Sequence, residues 1–180
     1  MRWVSNFGLK RMAAAQRSLA PRELASNQVK YNLLDRGIET NVLPYAQKEK
    51  VTIIAYSPLA QSLLTGRYTP EDRPRSLIQK INSRFSSRNL TRLTHLAWTM
   101  AQIAKAHDKT PSQVALNWLI RNENVIAIPG VKGPQHVIDN AGAADWRLTE
   151  DEVERLETAA RVQFDRISGI PSAVRALMRT

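Results

Sequence analysis

Three observations predict an α/β fold built on a parallel sheet. Val51-Thr52-Ile53-Ile54-Ala55-Tyr56 and Val125-Ile126-Ala127-Ile128 are short, nearly continuous apolar runs rich in β-branched residues. That is the pattern of parallel strands covered on both faces, whereas one-sided antiparallel strands alternate. Segments with helical spacing fill the intervals between strand candidates, giving the strand–helix alternation of a parallel sheet. Polar residues gather where the strands end, at Ser5-Asn6, Gln28, Tyr56-Ser57 and Gly130-Val131-Lys132.

The elements follow in order. About four strands are expected, at 2–5, 24–29, 51–56 and 125–128, the first two being weaker candidates. Helices are expected near 8–17, 39–49 and 134–143. Leu93, Leu96, Ala97, Met100, Ile103 and Ala104 carry a 3.6-residue period through about 92–107. Thr110-Pro111-Ser112-Gln113 is a capping box with proline at the first helical position, opening a helix whose apolar face is Val114, Ala115, Trp118 and Leu119. Thr149-Glu150-Asp151-Glu152 is a second capping box, ahead of Val153, Leu156 and Ala160. Residues 1–160 form the expected domain, and 161–180 a tail with no clear packing partner.

Composition narrows the function. The chain has 180 residues, 43% apolar and 23% charged, which fits a globular domain rather than disorder. No stretch reaches the roughly 18 uncharged apolar residues of a membrane span, and the first dozen residues, MRWVSNFGLKRM, lack the apolar core of a signal peptide. With no cysteine there is no disulfide, thiolate metal site or cysteine nucleophile, so a cytoplasmic location is the expectation. His95, His107 and His136 are scattered without ligand spacing, so no metal site is expected.

The net charge of +10 is uneven. Residues 67–92 hold Arg67, Arg73, Arg75, Lys80, Arg84, Arg88 and Arg92 against Glu71 and Asp72, while 139–157 are mainly acidic. Lys80, Arg84, Arg88 and Arg92 recur every four residues opposite Leu77, Ile78, Ile81 and Phe85, the pattern of an amphipathic segment with a solvated basic side. An anionic ligand nearby is the second reading, and nucleic acid the third, since no zinc-finger, basic-zipper or RNA-recognition signature accompanies the charge.

No G-x-G-x-x-G follows a strand and no G-x-x-x-x-G-K-[ST] occurs, so Rossmann and P-loop readings are weak. The polar strand ends suit a (β/α)8 barrel instead, where those ends form the active face and phosphate sits beyond the last two strands.

Five segments in order carry a resemblance to a known family. They are Val4-Ser5-Asn6-Phe7, then Gln28 to Arg36 (QVKYNLLDR), then Ile54-Ala55-Tyr56-Ser57-Pro58-Leu59-Ala60, then Leu63-Leu64-Thr65-Gly66-Arg67-Tyr68, and finally Ile128-Pro129-Gly130-Val131-Lys132 with Asp139-Asn140 behind it. Over about residues 4–160 the chain resembles the C-terminal half of an aldo/keto reductase. The resemblance implies about four strands of an incomplete (β/α)8 barrel and an NADP(H)-dependent oxidoreductase acting on aldehydes and ketones.

It also implies roles. Ser5, Asn6 and Gln28 would hydrogen-bond the nicotinamide carboxamide, and Tyr56 would stack on the nicotinamide ring. Ser57 through Leu63, Leu59 included, would wrap the pyrophosphate through backbone N–H groups, with Arg67 adding positive charge. Lys132 would sit near the adenosine 2′-phosphate, and Asp139 and Asn140 would reach the adenine. Plainer alternatives stand beside them: Ser5-Asn6 capping the next helix, Gln28 as a satisfied strand-end polar residue, Tyr56 packing in the core, Arg67 and Lys132 as surface charges.

The sequence departs from the family pattern at Trp3 and Ser62, where glycine is usual, and at Arg67, where lysine is usual. His136 falls where arginine or glutamine is often found, which bears on NADP against NAD. The family's Tyr, Lys, Asp and His tetrad belongs to the N-terminal half of the barrel, so no catalytic residue carries over. The chain alone is therefore expected to be inactive and to pair with a separate N-terminal half or with itself through open strand edges. The alternative is a non-catalytic nicotinamide-nucleotide-binding or regulatory module.

Overall fold

A computed structural model of the chain describes residues 2–74 and 82–161. Among the described residues four strands, β1 (Arg2–Ser5), β2 (Leu24–Lys30), β3 (Thr52–Tyr56) and β4 (Val125–Ile128), form one sheet in the order β1-β2-β3-β4. Every pairing is parallel: Ser5 stands beside Gln28, Gln28 beside Ile54, and Ile54 beside Ile126. Parallel neighbours need a crossover. Helix α1 (Leu9–Leu19) supplies the first, and a 3-10 turn (Gly37–Thr40) with α2 (Val42–Lys48) the second. The third runs through 3-10 segments at Ala60–Thr65 and Ser83–Phe85 and the helices α3 (Ser87–Ala106) and α4 (Pro111–Ile120). Helices α5 (Pro134–Ala141) and α6 (Glu150–Ala159) follow β4. Among the described residues no helix is long and apolar enough to cross a membrane.

Both expected capping boxes form. Thr110 accepts from the Gln113 N–H at 3.2 Å while Gln113 accepts from the Thr110 N–H at 2.8 Å, and Thr149 and Glu152 repeat the arrangement. Helix α3 begins five residues before the expected 92, because Ser86 caps it by accepting from the Asn89 N–H. The expected helix at 39–49 is broken at Asn41 (φ −152°), where 3-10 geometry gives way to α2.

Cover is one-sided, contrary to the apolar runs. Asn27, Val29, Ile53, Ala55 and Val125 are buried beneath the helices. On the opposite face Trp3 is 76%, Ile126 55% and Ile128 43% exposed. Successive strand residues point to opposite faces, so β4 carries the composition of a doubly covered strand with only one cover among the described residues. The sheet is not closed into a barrel, and β1 and β4 stand at its two edges.

The core is locked at Trp118. Its indole is fully buried, packs 5.4 Å from the Tyr31 ring, and lies beneath the Arg36 and Arg121 guanidinium groups at 5.3 and 4.4 Å. Glu157 on α6 accepts from Arg36 at 2.7 Å, from Arg121 at 2.6 Å and from the indole N–H at 3.3 Å. Desolvation opposes the Glu157 charge, but the two arginines outweigh it and hold the carboxyl below its usual range. One carboxylate thus ties α6 to the end of α4 and to the loop after β2. Glu157→Ala is expected to lower stability by about 1–3 kcal/mol, because two arginines lose a charge-assisted partner. Urea unfolding checks it through a shift in midpoint at unchanged slope.

Candidate functional site

The parallel register sends the residues after each strand to one edge of the sheet, and the expected site residues follow it there. Ser5 ends β1, and its hydroxyl donates to the Gln28 carbonyl at 3.2 Å. The Asn6 N–H reaches the same carbonyl at 2.8 Å, with Asn6 in the left-handed region (φ 56°). The capping alternative for Ser5-Asn6 is excluded: Gly8 is the N-cap of α1, with no side-chain cap bond. Gln28 lies one strand over on the uncovered face, and among the described residues its side-chain amide has no hydrogen-bond partner. Tyr56 is the last residue of β3, paired in register with Lys30 and Ile128. It is half-buried and makes no aromatic contact among the described residues, so it is not the core packing residue its type suggests.

After Tyr56 the backbone turns left-handed repeatedly. Ser57, Ala60, Gln61 and Ser62 have φ of 51°, 48°, 56° and 74°, and Gly66 follows at 72°. Residues with a Cβ visit this region at a cost of about 1–2 kcal/mol each, and such strain gathers at ligand-binding segments. The right-handed Leu59 (φ −98°) before the left-handed Ala60 is the two-residue pattern that turns successive N–H groups toward one side, and the Ala60 N–H itself donates to the Ser57 carbonyl at 2.9 Å. Leu59 sits within this loop, packed against the core, and its carbonyl accepts from the Leu64 N–H at 3.3 Å. Arg67, exposed just past the loop, holds its guanidinium 5.6 Å over the Tyr68 ring.

Lys132 is exposed between β4 and α5, and its backbone N–H donates to the His136 Nδ1 at 3.1 Å. On α5 the Asp139 carboxylate accepts from Gln135 at 2.9 Å, while its carbonyl accepts from Gln113 on α4 at 2.8 Å. Asn140 is half-buried beside it. The structure therefore brings Ser5, Asn6, Gln28, Tyr56, Ser57 and Leu59 to the carboxyl ends of three adjacent strands, with Lys132, Asp139 and Asn140 beyond the fourth.

Sequence reasoning missed what holds this edge. Asn32 is fully buried: its amide donates to the Ser57 carbonyl at 2.9 Å and to Asp35 at 3.1 Å, and its oxygen accepts from the Leu34 and Asp35 N–H groups at 2.9 Å. Asp35 receives both arms of the Arg84 guanidinium, at 2.8 and 2.6 Å, and Lys30 at 3.1 Å. Arg84 is thus engaged by a carboxylate, not part of a solvated basic side. The 77–92 stretch is not one helix either: Ser83–Phe85 is 3-10, α3 starts afresh at Ser87, and Leu77, Ile78, Lys80 and Ile81 lie outside the described residues. A buried Asn three residues before an Asp, directly after a strand, is the signal that could have found this cluster.

The chain matches the model of the aldo/keto reductase family over residues 4–161. It is 40% identical over 158 residues to an uncharacterized oxidoreductase of Mycobacterium tuberculosis, covering 88% of this chain and 48% of that protein. Among solved structures it is similar to the glycerol dehydrogenase of Gluconobacter oxydans, with TM-score 0.79 and 28% identity, covering 92% of this chain and 50% of that one. It is also similar to an aldo/keto reductase of Klebsiella pneumoniae solved with NADP and acetate, with TM-score 0.65 and 30% identity, covering 94% and 52%. The chain spans about half the length of the relatives it matches.

Two expected outcomes test the strained, ion-paired edge. Ser62→Gly removes a Cβ from a left-handed residue (φ 74°) and is expected to raise stability by about 0.5–1 kcal/mol, read as a Tm increase of about 1–4 °C. For Asp35, burial pushes the carboxyl up, but Arg84 and then Lys30 outweigh it and hold the pKa down at about 2. A depressed carboxylate stabilises the fold fully above its unfolded value of about 4 and loses that contribution as pH falls through about 2. Denaturant midpoints of the parent chain should fall between pH 4 and 2 more steeply than those of Asp35→Asn.

Proposed function

This chain belongs to the aldo/keto reductase family, and from that membership we propose that it is the nucleotide-binding half of an NADP(H)-dependent oxidoreductase acting on aldehydes and ketones. The observation that carries the reading is the placement of Ser5, Gln28 and Tyr56 at the carboxyl ends of three adjacent parallel strands, with the left-handed loop directly after Tyr56.

The residues present fit the group. A carboxamide offers two donors and an acceptor, and the Gln28 amide, without a partner among the described residues, can answer both kinds. The half-exposed Tyr56 ring supplies a flat apolar surface for a nicotinamide. Between Ser57 and Leu63, backbone N–H groups other than that of Ala60, which donates to the Ser57 carbonyl at 2.9 Å, suit a pyrophosphate, with Arg67 beyond them. Lys132, Asp139 and Asn140 suit a phosphorylated adenosine, and Lys132 favours NADP over NAD by placing a cation for the 2′-phosphate. Bound NADPH supplies a hydride to a carbonyl carbon. The protein's task on this half is to hold the ring flat at the strand ends and to anchor the phosphates away from it.

The proton for the carbonyl oxygen must come from elsewhere. Tyr31 is fully buried behind the sheet and donates to Glu39 at 2.8 Å, with burial pushing its hydroxyl pKa up further. Such a group cannot serve as the acid. We therefore assign the Tyr, Lys, Asp and His tetrad to the N-terminal half of the barrel, which would cover the face bearing Trp3, Ile126 and Ile128. The competing reading, a non-catalytic nicotinamide-nucleotide module, shares the same binding site.

Titrating the full chain into NADPH is expected to give a saturable change in nicotinamide fluorescence. Tyr56→Ala and Arg67→Ala should each weaken binding about tenfold and together abolish the signal. A folded chain that gives no saturable signal contradicts both the reductase and the module readings.

A further inference from the structure

The loop that follows Tyr56 is tied down at both ends by one carboxylate. At its start, the Ser57 carbonyl accepts from the Asn32 amide at 2.9 Å, and that amide also donates to Asp35 at 3.1 Å. Further along, the Gln61 side-chain oxygen accepts from the Asn82 amide at 2.9 Å. The Asn82 oxygen accepts from the Arg84 N–H at 3.1 Å, and the Arg84 guanidinium grips Asp35 through two bonds at 2.8 and 2.6 Å. Two chains of hydrogen bonds thus run from Asp35 to residues 57 and 61. Between these two points lies the left-handed Ala60, with Ser57 and Gln61 themselves left-handed.

Left-handed residues with a Cβ persist only where the surroundings over-determine them. Here the surroundings include these two chains of bonds, beside the packing of Leu59 on the core and the bonds of Ala60 and Leu64 within the segment. A bidentate carboxylate–guanidinium pair fixes direction as well as distance, which a lysine in place of Arg84 cannot do. Asp35 and Arg84 are themselves half-buried, at 18% and 25% side-chain exposure, so the pair is shielded from water and salt better than a surface pair.

We infer that Asp35 is a positioning residue for the pyrophosphate-binding loop, acting through Asn32 at Ser57 and through Arg84 and Asn82 at Gln61. The inference rests on the proposed nucleotide site and adds what holds that site in a binding shape. Neither Asp35 nor Arg84 touches the ligand on this account. Their loss acts on the part of the nucleotide that meets the loop, and spares the part beyond β4.

Binding of two probes to the full chain, followed by titration calorimetry, separates these effects. NADPH carries the pyrophosphate; adenosine 2′-monophosphate carries only the portion assigned to Lys132, Asp139 and Asn140. Asp35→Asn and Arg84→Lys are each expected to weaken NADPH about tenfold and adenosine 2′-monophosphate less than twofold. Asn82→Ala leaves the ion pair in place and is expected to show the same selectivity at about threefold. Equal losses for both probes, as general damage to the fold would give, overturn the inference. So does an unchanged NADPH affinity in Arg84→Lys and Asn82→Ala. Failure of the unsubstituted chain to bind NADPH is a separate result, and contradicts the nucleotide site itself.

Discussion

Because all four strands run parallel, every segment that follows a strand leaves from the same edge of the sheet. A parallel sheet has no choice in this: each crossover must return the chain to the starting edge before the next strand begins. The consequence is that residues far apart in sequence, from Ser5 to Asn140, come to one side of the molecule without any direct bond between most of them. The buried face of the sheet pins the register, since a one-residue slip would carry Ile53 and Val125 out of the core and Ile54 and Ile126 into it. The positions of Gln28 and Tyr56 are inherited from that packing.

Position at an edge is not yet a binding geometry. The loop after Tyr56 takes four residues with side chains into the left-handed region, and nothing in its own sequence favours that except Gly66 at its end. Asn32 and the Asp35–Arg84 pair brace it from outside, beside its own bonds from Ala60 and Leu64 and the packing of Leu59. Helix α6 is held in a comparable way by Glu157, between two arginines stacked on Trp118. In both places a carboxylate that would be costly to bury alone is retained because arginine geometry answers it.

Much of this was legible in the sequence, and the boundary is physical. The strands, the capping boxes at Thr110 and Thr149 and the polar strand ends are local signals, each written within a few residues. The partner of Arg84 lies 49 residues away, and a four-residue period of basic side chains says nothing about a carboxylate contributed by another loop. The composition of 125–128 suits a doubly covered strand, while its exposure depends on what else is present. Asn32 stood in plain view within the family pattern, but an Asn amid apolar residues reveals its partners only once the fold brings Ser57 to it. At Ser62, where glycine is usual in the family pattern, the structure has φ 74°, a conformation that glycine adopts more readily than serine.

The central claim is that the strand ends and the loop from Ser57 to Leu63 together hold a nicotinamide dinucleotide. Amide NMR spectra of the chain recorded with increasing NADPH test it residue by residue. The account predicts saturable shifts in the N–H signals of Ser57, Leu59, Ala60, Gln61, Ser62 and Leu63 and in the Gln28 side-chain amide. Shifts confined to the acidic helix α6, or a set that leaves residues 57–63 unmoved at saturation, would contradict it.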